Sequence, residues 1–113
     1  MKVSIVTVCY NSSRTFEESI QSLLSLDYPD IEYIIIDGKS TDGTLGIIEK
    51  YKDKIDKIVS EPDEGLYYAM NKGIKLASGE IIGILNSDDV YANNTIISDV
   101  VAEFLSGSSE GGY

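Results

Sequence analysis

Two adjacent aspartates, Asp88 and Asp89, follow the apolar run Ile81-Ile82-Gly83-Ile84-Leu85 and the polar pair Asn86-Ser87. Neighbouring carboxylates repel each other and cost stability unless a cation or a positive partner neutralises them. Hard oxygen ligands select Mg2+ or Mn2+, which keep water and use one or two carboxylates together with substrate phosphates. The pair therefore has two readings, a turn and cap before the last helix or a metal site, and a buried strand end favours the metal. Other polar groups stand in comparable places. Thr7, Tyr10 and Asn11 close the first apolar stretch, and Asp37, Ser40 and Asp42 follow the second. Tyr10 and Asn11 also read as a turn, and Asp37 as the turn residue before Gly38. The chain has no histidine, which removes Ser-His-Asp and Cys-His catalysis and every His-ligated zinc site. Carboxylates must carry the chemistry.

The elements that would position these groups are legible as alternating patterns. Lys2 to Cys9 is rich in β-branched residues and stops at Tyr10-Asn11-Ser12-Ser13; Phe16, Ile20, Leu23 and Leu24 then recur at helical spacing. Thr15 and Glu18 fit a capping box, with Ser12 and Ser13 as alternative caps. A second strand is expected over Glu32 to Asp37, unbroken in its apolar centre as in a strand covered on both faces. A loop and a short helix through Leu45, Ile48 and Tyr51 follow. A weaker strand is expected from about Ile55 to Ser60. Then come a helix through Leu66, Ala69, Met70, Gly73, Ile74 and Ala77 that ends at Gly79, a strand from Ile81 to Leu85, and a last helix capped by Asn94. The order β-α-β-α-β-α-β-α requires crossover connections. It predicts an α/β fold with a mainly parallel open sheet between helix layers. Ligands in such sheets bind beyond the carboxyl ends of the strands, so the three polar clusters should share one rim. Gly65, Gly73 and Gly79 read as backbone and packing devices.

Composition narrows the partners. With 9 basic and 19 acidic residues the net charge is −10, which disfavours nucleic acid and a purely electrostatic hold on an anionic membrane. Most of these carboxylates read as a solvated surface. The 42% hydrophobic and 25% charged shares are those of a globular chain. No apolar run reaches the roughly 20 residues of a spanning helix, and the N-terminus lacks a secretory signal. The single cysteine, Cys9, cannot form an internal disulfide and reads as a buried thiol in a cytoplasmic setting. One domain over residues 1–105 is expected, followed by a flexible polar tail over 106–113.

Four segments together, Ser4 to Asn11, Ile36 to Thr44, Ala69 to Ile74 and Leu85 to Asp89, resemble glycosyltransferase family 2, in the right order and over roughly residues 2 to 105. The resemblance implies a truncated GT-A fold, the Rossmann-like three-layer α/β/α fold of nucleotide-diphospho-sugar transferases. It also implies the N-terminal, donor-binding part of an inverting enzyme. That enzyme would move a sugar from a nucleotide-diphosphate sugar, with a UDP-sugar favoured, to a glycan or lipid-linked acceptor. Thr7, Tyr10, Asn11, Asp37 and Ser40 would hold the nucleotide. Asp89 would coordinate the divalent metal, Mn2+ or Mg2+, with Asp88 facing the sugar or ribose or sharing the ion. A cytoplasmic location is expected, with a peripheral position at the inner face of the membrane as the alternative to a free one.

The sequence departs from the family at Met70, where many relatives carry arginine, and at Tyr68, where many close relatives carry aspartate. The family's catalytic base lies in a later segment, expected beyond Tyr113, so no catalytic base is assigned within this chain. Missing strands would leave a sheet edge uncovered, and self-association through it is expected. The alternative of a different class is a non-catalytic nucleotide-binding or scaffold domain of the same fold. A phosphoacceptor receiver domain is disfavoured because Tyr10 and Asn11 stand where its acidic residues belong. A dinucleotide-binding domain lacks the Gly-x-Gly-x-x-Gly after the first strand.

Overall fold

A computed structural model describes residues 1–62 and 64–106; the expected tail beyond Ser106 and Asp63 of the acidic loop lie outside the described residues. Strand β1 spans Val3–Cys9, helix α1 Phe16–Leu24, β2 Ile31–Asp37, α2 Thr44–Tyr51, β3 Lys57–Ser60, α3 Leu66–Leu76, β4 Ile81–Ile84 and α4 Ile96–Leu105. All pairings are parallel and the spatial order is β3-β2-β1-β4. β1 and β2 run in register from Val3 beside Ile31 to Cys9 beside Asp37, and Val3 also pairs with Ile81 of β4.

The period-2 alternation of the strands divides the core. Val3, Ile5, Cys9, Tyr33 and Ile35 pack with Phe16, Ile20 and Leu23 of α1, Ile48 of α2, and Ile97 and Val101 of α4. The residues between them, Val6, Ile34 and Ile36, pack on the other face with Ala69 of α3. This yields the expected three layers. α3 lies close to the sheet because Gly73 has no side chain; a Cβ there would sit 2.2 Å from Val6 Cγ1. The α3 layer stops short of the sheet edge. Ile82 and Ile84 of β4, in register with Ser4 and Val6, stay 41% and 38% exposed.

Several local expectations change. β3 begins at Lys57 rather than Ile55, because the preceding 3-10 turn Lys52–Lys54 delivers Ile55 into the core and Asp56 turns to accept the Tyr33 N–H at 2.7 Å. β4 ends at Ile84. The capping box of α1 does not form: Thr15 holds the N-cap position, but its hydroxyl donates to the Ser87 carbonyl at 3.0 Å. Thr95, not Asn94, holds the N-cap position of α4. α3 ends at Leu76 with an extended Ala77, so Gly79 does not terminate it. Among the described residues no helix is long and apolar enough to cross a membrane.

Candidate functional site

From β1 the chain steps outward through β2 to β3 and then returns to place β4 on the other side of β1. Connections that diverge on either side of a strand leave a crevice at its carboxyl end, the usual ligand position in open parallel sheets. A cleft of about 930 Å³ lies there. It is walled by Tyr10 to Ser12, Arg14 and Thr15 after β1, Asn86 to Asp88 after β4, and Pro62, Gly65 and Leu66 leading into α3.

The loops after β1, β2 and β4 are joined to one another by hydrogen bonds, most of them between a side chain and backbone. After β1, Asn11 adopts a left-handed φ of 48°, which asparagine tolerates better than most residues. Its side-chain oxygen accepts the Thr41 N–H at 2.8 Å and the Asp42 N–H at 3.3 Å, and its own N–H donates to Ser40 Oγ at 2.9 Å. In return Asp42 accepts the Ser13 N–H at 3.1 Å, and it also holds the N–H and hydroxyl of Thr44. The Thr44 hydroxyl and these neighbouring N–H groups hold the Asp42 carboxyl well below the ordinary carboxylate range. The β4 loop is tied in by Ser87 Oγ donating to Ser12 Oγ at 2.8 Å and by Thr15 and Ser19 donating to the carbonyls of Ser87 and Asn86.

Asp37 organises this rim from beneath. It is wholly buried. Its oxygens accept the Ser40 N–H at 2.9 Å, Ser40 Oγ at 2.5 Å, Ser60 Oγ at 2.8 Å and Cys9 Sγ at 3.5 Å. Burial first, and the adjacent Asp37 charge second, push the Cys9 thiol far above its ordinary range; it is an inert group in the wall.

The residues singled out by sequence thus fall into three places. Tyr10, Asn11 and Asp88 line the cleft. Tyr10 is 61% exposed and lies over Gly38, where an added Cβ would stand 3.2 Å from its ring. Ser40 and Asp37 lie below the rim, buried and engaged with each other. Thr7 is in the interior, accepting the Tyr33 hydroxyl at 3.3 Å. Asp88 and Asp89 are both exposed, which corrects the expectation of a buried strand end. The strand stops at Ile84, and the pair projects on a turn closed by the Asp89 N–H donating to the Asn86 carbonyl at 3.0 Å. Asn86 Nδ2 also donates to the Asp89 carboxylate at 3.4 Å. Among the described residues no three His, Cys, Asp or Glu side chains converge to hold a metal. Arg14, a cleft residue that periodicity passes over, carried one signal: it is the only arginine in the chain.

Known proteins resemble this chain in sequence and in fold. The chain is 42% identical over 90 residues to poly-beta-1,6-N-acetyl-D-glucosamine synthase of Staphylococcus epidermidis, a match covering 78% of this chain and 22% of that protein. A crystal structure of residues 1–349 of TarS from S. aureus in complex with UDP-GlcNAc superimposes with a TM-score of 0.87 at 31% identity, covering 96% of this chain and 32% of that one. The mannosyltransferase PcManGT from Pyrobaculum calidifontis, in complex with GDP-Man and Mn2+, matches with a TM-score of 0.81 at 25% identity, covering 88% of this chain and 31% of that one. The chain therefore spans about a fifth to a third of the length of these relatives, and its parallel sheet is that of the GT-A glycosyltransferases. The model of glycosyl transferase family 2 matches residues 4–108, and the chain belongs to that family.

Proposed function

We propose that this chain is the donor-binding part of a glycosyltransferase that transfers a sugar, with inversion, from a nucleotide-diphosphate sugar to a glycan or lipid-linked acceptor. The observation that carries the reading is the cleft at the β1/β4 switch point, with exposed Tyr10 on one wall and the Asp88 turn on the other. UDP-GlcNAc in the TarS complex and GDP-Man with Mn2+ in the mannosyltransferase support the same class of ligand; a UDP-sugar is favoured.

Tyr10 offers the base an exposed aromatic face beside Gly38. Asn11, Ser40, Asp42 and Asp37 hold the loops that frame the nucleotide, so that the rim is organised before ligand arrives. Thr7 and Asp37 act from behind the site. Asp88 faces the sugar or ribose. Asp89, with Asp88, takes a divalent ion, Mn2+ or Mg2+. An exposed pair of hard oxygen donors suits an ion that completes its shell with water and substrate phosphates. When bound, such an ion supplies positive charge to the departing nucleotide diphosphate. The base that deprotonates the acceptor belongs to a segment of the longer enzyme outside this chain. Self-association through the β4 edge is part of the same proposal, supported by the exposed Ile82 and Ile84, and so is a cytoplasmic location, free or at the inner face of the membrane, with which the buried Cys9 free of any disulfide is compatible.

Calorimetric titration with UDP in Mn2+ and in EDTA tests the reading. Binding that requires Mn2+ and is lost in Asp89→Ala is expected. Metal-independent binding, or affinity unchanged in Asp89→Ala, would overturn the metal assignment; no binding of UDP would overturn the donor site.

A further inference from the structure

Arg14 stands apart in a chain of net charge −10. It is exposed, and it is the one cationic side chain among the described residues lining the cleft. It also sits immediately before Thr15, the N-cap of α1. A cation is disfavoured there, because the helix dipole presents its positive end.

An arginine in that position would ordinarily be explained by an ion pair, and several carboxylates are at hand. Glu17 in the first turn of α1 is taken by Lys50 and the Tyr51 hydroxyl. Among the described residues no salt bridge joins Arg14 to Glu18, Asp88 or Asp89. The lack of a bridge to the acidic turn is informative, because the two segments are in direct contact: Ser87 Oγ donates to Ser12 Oγ, and Thr15 Oγ1 donates to the Ser87 carbonyl. Opposite charges are thus mounted on bonded segments at one cleft without neutralising each other. Among the described residues no ion pair offsets the placement of Arg14.

The geometry points to Arg14 as an anion-binding residue of the donor site, contacting a phosphate of the nucleotide diphosphate from the β1 side while the acidic turn lies on the β4 side. Guanidinium presents a planar fork of N–H donors that matches two phosphate oxygens at once, and it stays charged at every working pH. A nucleoside diphosphate brings about three negative charges, so a divalent ion alone leaves it anionic and the guanidinium supplies the remaining charge. This role rests on the donor-binding reading above.

Titration of UDP, uridine and pyrophosphate into the native chain, Arg14→Ala and Arg14→Lys, all in Mn2+, tests it. Arg14→Ala should weaken UDP about tenfold, the scale of one charge-assisted hydrogen bond, and leave uridine unchanged. Arg14→Lys should recover part of the loss. UDP affinity unchanged in Arg14→Ala, or equal losses for UDP and uridine, would overturn the role while leaving the donor site standing. A loss for pyrophosphate but not for UDP would also overturn it, by assigning the anion to a different molecule. Failure of the native chain to bind UDP would remove the donor site and this role together. Because Arg14 is exposed and forms no salt bridge among the described residues, both variants should keep the native circular dichroism.

Discussion

The side-chain oxygen of Asn11 accepts the backbone N–H of Asp42 at 3.3 Å, while the Asp42 carboxylate accepts the N–H of Ser13, two residues beyond Asn11. Each loop thus uses a short polar side chain to hold the other's backbone. The loops after β1 and β2 become one rigid rim, and Tyr10 and Arg14 are carried on it.

That exchange makes Asn11 sensitive in two separable ways. Asn11→Gly removes the acceptor but suits φ 48°, whereas Asn11→Ala also forces an ordinary side chain into the left-handed region. The alanine variant should therefore be less stable than the glycine variant by about 1 kcal/mol. Urea unfolding with equal m-values reads the difference. Both variants should bind UDP more weakly than the native chain, since the rim is loosened in both.

Asp37 is expected to behave as a keystone. Asp37→Ala would strand the Ser40 N–H and hydroxyl in the interior and cost the exposed Ser60 hydroxyl its acceptor. Loss of about 2 to 4 kcal/mol is expected in chemical denaturation, with a smaller loss for Asp37→Asn, which keeps the shape and one acceptor. An alanine variant of native stability would mean that water reaches this carboxylate in solution.

The order of strands and helices was legible because each has a clean period: Ile34 to Ile36 fill both faces of a central strand, and Phe16, Ile20 and Leu23 recur on one face of α1. The rim was legible for the same reason, since parallel strands must all end on one side. What pattern does not encode is where a polar side chain finds its partner. Thr7 bonds Tyr33, twenty-six residues away, and Ser60 reaches Asp37 across the β2/β3 pair. The Thr15 hydroxyl serves the β4 loop instead of its own helix. Exposure of the acidic pair depended on β4 stopping at Ile84, one residue before the apolar run does. Arg14 has no periodicity to betray it, only its rarity.

At the amino end of the sheet, Glu32 is 5% exposed. Burial alone would raise its carboxyl pKa, but the Ser78 N–H, the Ser4 hydroxyl, Lys57 and the Ser78 hydroxyl outweigh it and bring the value from 4.5 to about 2. A folded-state value below the unfolded one means that the unfolded chain binds more protons in this window, so stability falls as pH falls. The contribution of Glu32 should be complete above about pH 5 and should drain away toward about 2. Acid unfolding of Glu32→Gln should show a shallower decline across that window, from a lower starting stability at neutral pH. Parallel declines for the two proteins would remove Glu32 from the account.

Two glycines test the packing with opposite signs. Gly46 lies in α2 with nothing within 4 Å of an added Cβ, so Gly46→Ala should stabilise the chain by about 0.5 to 1 kcal/mol and raise its melting temperature. Gly79 is closed in by the Ser4 N at 2.6 Å, Ser4 Oγ at 2.6 Å and the Lys2 carbonyl at 2.9 Å. Two of these are backbone atoms at the start of the central strand and cannot yield. Gly79→Ala should cost toward the upper end of the about 1 to 3 kcal/mol typical of overpacking. The third atom carries a consequence that overpacking alone does not. Ser4 Oγ accepts the Gly79 N–H at 2.8 Å and donates to Glu32 at 2.8 Å, so displacing it removes one of the bonds that depress the Glu32 pKa. Gly79→Ala should therefore also show a smaller acid-dependent loss of stability than the native chain, one that is complete at a higher pH. A uniform loss at all pH values would show that the Ser4 hydroxyl keeps its place on Glu32 and that the strain is absorbed elsewhere.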